Sequence, residues 1–142
     1  MASKKKVLIL CTGNSCRSQM AEGWVNHIHG GSWEASSAGT RPSEAVHPFA
    51  VQVMAEVGVD ISRGRPELVD AFLDEPWDLV VTVCDSAKES CPIFPMPVEQ
   101  IHISFSDPAE ARGSDGEILT VFRSVRDAIR ERMLPEIDAR TV

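Results

Sequence analysis

The chain has 142 residues, 43% of them apolar, with 4 Cys, 3 Trp and no Tyr, a size and mixture that suit one globular domain over residues 1–142 with a single sizeable core. Fourteen Lys plus Arg against twenty-one Asp plus Glu leave a formal net charge of −7, which argues against a nucleic acid partner and confines any bound anion to a local cationic pocket. No apolar run reaches the roughly 20 residues that cross a bilayer, and Val7 to Leu10 is too short for a signal-peptide core, so a cytoplasmic protein without membrane contact is expected.

In chain order, Lys6 to Leu10 reads as a buried strand that stops at a loop containing Gly, Asn and Ser. Ser18 to His29 reads as a helix. Trp33 to Ser37 is a second strand, closed by Gly39 and Arg41-Pro42. Val46, Ala50, Val53, Met54 and Val57 recur at helical spacing, with Gly58 as the stop. Pro66 to Leu73 is expected to form a short helix with proline in its first turn. Trp77 to Val83 is the strongest strand, with Cys84 at its end; a polar loop and a proline-rich stretch follow, then a weaker strand at Gln100 to Ile103. Ile118, Phe122, Val125, Ile129 and Met133 make an apolar stripe on a last helix, Asp115 to Leu134. This alternation predicts an α/β fold with a four-stranded parallel sheet flanked by helices.

The stretch Cys11, Thr12, Gly13, Asn14, Ser15, Cys16, Arg17, Ser18 places a nucleophile, five residues and an arginine between a strand and a helix. A loop turning from strand into helix can aim several N–H groups inward, and the helix N-terminus adds positive charge, so a tetrahedral oxyanion is the natural guest. Gly13 permits the turn, Asn14 can brace it, and Arg17 can grip two oxygens with its planar fork. The same field is expected to lower the pKa of Cys11, with Ser18 supporting the sulfur; Cys16 reads as structural.

In a reducing compartment, Cys84 and Cys91 are more plausibly catalytic or metal-binding than a disulfide framework. In a parallel sheet the first and third strands end on one edge, so Cys84 can approach Cys11 and a thiol relay is allowed. A zinc site is the alternative, but Cys-x4-Cys with Cys-x6-Cys departs from usual zinc spacing.

The Cys-x5-Arg-Ser loop, with Ser37-Ala38-Gly39 and Asp107-Pro108, resembles the low-molecular-weight protein tyrosine phosphatase superfamily, and residues 11–24 resemble its thioredoxin-coupled arsenate reductase branch. The resemblance implies that fold and the reduction of arsenate, with phosphate or sulfate as analogues. It implies that Cys11 attacks arsenic, that Cys84 then attacks Cys11, and that Cys91 attacks Cys84, leaving a Cys84–Cys91 disulfide for thioredoxin. It makes Asp107 the acid that protonates the leaving oxygen. In the phosphatases a tyrosine commonly follows Asp-Pro, whereas Ala109 stands here, which weakens the alternative of a phosphotyrosine or small phosphomonoester phosphatase. The resemblance also implies a potassium site at Asn14, Glu22 and Ser37, with Glu67 where the family has Asp; no tightly bound cofactor and a monomer are expected.

Overall fold

The computed structural model describes residues 4–85, 94, 95 and 97–141; Cys91, the third thiol of the expected relay, lies outside them. Four strands, β1 (Lys5–Cys11), β2 (Trp33–Gly39), β3 (Leu79–Thr82) and β4 (Glu99–His102), form one parallel sheet in the order β2-β1-β3-β4. Helices α1 (Arg17–Ile28), α2 (Pro48–Ala55) and α3 (Asp115–Ala139) accompany it. Val7 to Leu10 and Leu79 to Val81 are fully buried, as expected of central parallel strands covered on both faces. Among the described residues no helix is long and apolar enough to cross a membrane.

The order places the neighbours of β1 on opposite sides, so the crevice at its C-terminal end is the switch point where open α/β sheets take ligands. Leu10 pairs with Thr82, which puts Cys11 and Cys84 on the same edge. Two residues of β2 beyond the expected end pair as well: Ala38 with Leu10 and Gly39 with Cys11.

The end of α2 follows the chemistry of glycine. Gly58 has φ +80°, and the N–H groups of Gly58 and Val59 return to the carbonyls of Ala55 and Met54 in the Schellman arrangement. The helix expected at 66–73 is corrected to one 3₁₀ turn, Val69–Phe72. The preceding backbone is committed elsewhere: Glu67 O accepts from Gly39 N, and Glu67 N donates to Asn14 Oδ1. Tertiary pairing thus overrides the helical pattern.

The last helix opens on a capping box between Ser114 and Glu117. It runs five residues past the expected end at Leu134, through Pro135, although proline removes one helical hydrogen bond. Buried Leu134 and Ile137 hold the extra turn against the core, and Arg140 pairs with Glu99 of β4. Phe122, Val125, Ile129 and Met133 of the stripe are buried.

Candidate active site

Cys11 closes β1, and residues 12–16 turn into α1. Cys16 at the helix N-cap makes no side-chain cap and the first turn carries no acidic residue, so the N–H groups there are not claimed by a local carboxylate. The loop is backed by a segment whose importance the residues did not announce. Thr40, Arg41, Ser43 and His47 donate their backbone N–H groups to the carbonyls of Cys11, Thr12, Gly13 and Ser15, at 2.8–3.2 Å. In a trans peptide the N–H points opposite to its carbonyl, so the N–H groups of Thr12, Gly13, Asn14 and Cys16 turn to the other side of the loop. A concave row of donors follows.

Asn14 is the keystone. It is fully buried with φ 53°, a left-handed conformation that asparagine tolerates better than most residues. Its Nδ2 donates to Ser18 Oγ at 2.7 Å, and its Oδ1 accepts from Glu67 N at 3.0 Å and Gln19 Nε2 at 3.3 Å. Gly39 is needed alongside: a Cβ there would stand 2.5 Å from Thr12 O and 3.1 Å from Asn14 Cβ. At Gly13 a Cβ would meet Ser43 Oγ at 2.8 Å.

Arg17 donates through Nη1 to Phe105 O at 3.1 Å, and its Nη2 lies 3.6 Å from Asp107 Oδ2. Its Nε is buried with no hydrogen-bond partner among the described residues, a donor that a bound oxyanion would satisfy. Asp107 also caps the turn Pro108–Glu110 by accepting from Ala109 N at 3.0 Å. It is therefore both a turn-starting residue and a carboxylate at the mouth of the loop. A cleft of about 550 Å³ opens here, lined by Thr12, Arg17, Cys84, Asp85, Asp107 and Glu110 among others. Glu110 and Phe105 O carried no recognisable signal in the sequence.

Cys84 is buried, with its sulfur 3.3 Å from Thr12 Oγ1 and hydrogen-bonded to Cys11. That neighbour reverses one expectation. The hydrogen bond with Cys84 and burial push the Cys11 thiol up, against the pull of Arg17 and the Thr12 N–H, because two touching thiols do not both ionise. In this contact Cys11 therefore favours its protonated form. Cys16 is pushed up to about 11 by burial, partly offset by Ser15, whose Oγ lies 3.7 Å away; it is an inert thiol.

Behind the loop, Ser37 Oγ donates to Glu22 Oε1 at 3.1 Å, and burial pushes the Glu22 carboxyl up to about 7, with Glu67 adding repulsion. A hard monovalent cation would suit these two carboxylates, although the Asn14 oxygen already accepts two N–H groups. No group of three or more His, Cys, Asp or Glu that could hold a metal ion occurs among the described residues.

Comparison with known proteins agrees with this geometry. Residues 6–136 match the family described as low molecular weight phosphotyrosine protein phosphatase. A protein of Halalkalibacterium halodurans named arsenate reductase is 47% identical over 131 residues, covering 92% of this chain and 94% of its own. One of Bacillus subtilis with the same name is 44% identical over 129 residues, covering 91% and 92%. Among solved structures, an arsenate reductase in the intermediate state superposes with TM-score 0.75 at 34% identity, covering 95% of this chain and 98% of that one. A low molecular weight protein tyrosine phosphatase from T. tengcongensis reaches TM-score 0.72 at 27% identity, covering 90% and 94%. A thioredoxin-dependent arsenate reductase of Corynebacterium glutamicum reaches 0.66 at 27%, covering 92% of this chain and 60% of that one.

Proposed function

The chain belongs to the low molecular weight phosphotyrosine protein phosphatase family, and from that premise we propose that it reduces arsenate to arsenite through Cys11, Cys84 and Cys91. The observation that carries this reading is the contact of the Cys84 sulfur with Cys11 and Thr12 at the floor of an anion loop. A hydrolase has no use for a second thiol there; a reductase requires one.

Arsenate enters the loop, its oxygens taking the inward N–H groups and Arg17 Nε. Cys11 passes its proton to Cys84 across their hydrogen bond and attacks arsenic, and Asp107 protonates the oxygen that departs as water. Cys84, once deprotonated, attacks the Cys11 sulfur. The sulfur–arsenic bond breaks with its electron pair on arsenic, which falls from the +5 to the +3 state and leaves as arsenite. The sum is arsenic acid plus two thiols giving arsenous acid, one disulfide and water. Cys91 then attacks Cys84 and frees Cys11, and the resulting Cys84–Cys91 disulfide passes its oxidation to an external dithiol. Thioredoxin is the proposed donor, on the strength of the Corynebacterium glutamicum relative. Both the reduced thiols and that donor suit the cytoplasm. A monomer is part of the same proposal.

The test is a mass map of disulfides after one arsenate turnover. Cys84 should be joined to Cys91 in the unaltered protein, and Cys11 to Cys84 in Cys91→Ser. The phosphatase alternative is separated by Cys84→Ser, which should abolish arsenate reduction while leaving any aryl phosphate hydrolysis in place. Survival of arsenate turnover in that variant would end the relay. A potassium ion at Asn14, Glu22, Ser37 and Glu67 is part of the same proposal, supported by the crowding of two carboxylates. Its check is a rise in melting temperature with potassium over tetramethylammonium chloride.

A further inference from the structure

Cys84 follows β3 by two residues, and β4 ends at His102, the register partner of Thr82. The His102 ring spans this edge. Its Nδ1 lies 2.7 Å from Thr82 Oγ1, and its Nε2 lies 3.0 Å from Asp85 Oδ1. With a carboxylate at Nε2, the neutral ring carries its hydrogen there, and Nδ1 accepts from the Thr82 hydroxyl. One imidazole thus ties together the residue two before Cys84 and the residue immediately after it. Thr82 is buried, whereas the Asp85 side chain is 79% exposed. A hydrogen bond that open adds little to stability, so its consequence is geometric: it links the side chains that flank Cys84.

We propose that His102 is a positioning residue for Cys84, holding its sulfur against Cys11 and Thr12 for the second thiol step. The proposal rests on the relay described above. In that step the Cys84 thiolate forms a bond to the Cys11 sulfur as the sulfur–arsenic bond breaks and arsenite leaves with the electron pair. Such a displacement needs the attacking sulfur in line with the bond it breaks, and a misplacement of about 1 Å can cost on the order of a hundredfold in rate. His102 makes none of the hydrogen bonds that shape the anion loop, so its loss should leave oxyanion binding alone.

The experiment uses the full chain in a Cys91→Ser background, quenched after a single arsenate turnover, with the Cys11–Cys84 disulfide quantified by mass. His102→Phe is expected to slow its formation about tenfold while the dissociation constant for inorganic phosphate stays unchanged, and His102→Gln, which can still reach one partner, should recover part of the rate. Diamide oxidation of the same three proteins without arsenate supplies a second readout, since it needs the same approach of sulfurs but no reductase chemistry. If the parent forms the disulfide with diamide but not with arsenate, the reductase reading fails and the positioning role is still decided by the diamide rates. Equal rates in His102→Phe and its parent would overturn the proposal, as would a slowing matched by an equal loss of phosphate affinity.

Discussion

Cys11 and Cys84 stand at the same edge of the sheet, at the ends of adjacent strands, and are held by different balances of backbone and side-chain bonds. Around Cys11 the restraint is backbone on backbone: four N–H groups of residues 40–47 fasten the loop carbonyls, and buried Asn14 ties the turn to Ser18, Gln19 and Glu67. Around Cys84 backbone pairing reaches Val83, whose N–H meets Leu10 O and whose carbonyl accepts from Phe105 N, and side chains add the rest, with the Thr12 hydroxyl and the Cys11 thiol on one side and His102 bracing Thr82 and Asp85 on the other. The difference matches two tasks. A cradle for an oxyanion must keep its dipoles preoriented throughout turnover, whereas a relay sulfur must be presented to one partner and then released to the next.

Substitutions on each side can break or sharpen that contrast. The largest effect is expected at Asp107, where Asn keeps the acceptor for Ala109 N but loses the acid; kcat for arsenate should fall about 10²- to 10⁴-fold with little change in KM, in steady-state assays. Gly39→Ala should break the backbone-held side, because its methyl group would press on Thr12 O, which cannot yield without moving the loop. Phosphate binding by calorimetry should be lost, and urea unfolding should show a destabilisation of about 1–3 kcal/mol. Thr12→Val tests the side-chain-held side: the loop N–H groups remain, so phosphate affinity should hold, while single-turnover disulfide formation slows roughly two- to tenfold.

The smallest effect belongs to Glu22. Its folded-state carboxyl is raised to about 7 by burial, so the folded state favours the proton; the stability this confers is present below the ordinary carboxylate range and is lost as pH rises toward and through 7. Glu22→Gln should therefore raise the melting temperature at pH 8 by about 2–4 °C and change little at pH 4, in potassium-free buffer, by scanning calorimetry. Added potassium should narrow the gap at pH 8, by stabilising the parent and not the variant.

Much of the fold was legible in the residues. The all-apolar run of Val7 to Leu10 announced a central strand, and Gly58 stopped α2 with a positive φ. The oxyanion loop was legible for the same reason: strand end, turn, helix start and arginine lie within a few consecutive positions, where local backbone preference decides the shape. The segment 66–73 misled because its backbone is spent on Gly39 and Asn14, and α3 passed Pro135 because Leu134 and Ile137 are buried, outcomes that periodicity does not encode.

The sequence by itself determined the local chemistry: a cysteine and an arginine around a turn, an aspartate before proline, and cysteines placed where a relay is allowed. Only the tertiary structure decided which groups meet across some seventy positions. It laid residues 40–47 behind the loop, set Cys84 on Cys11 and so raised that thiol where lowering was expected, and brought His102 across Thr82 and Asp85. The reason is physical: a turn is governed by the few dihedrals within it, whereas contacts between distant strands depend on sheet order and register, which the whole core sets at once.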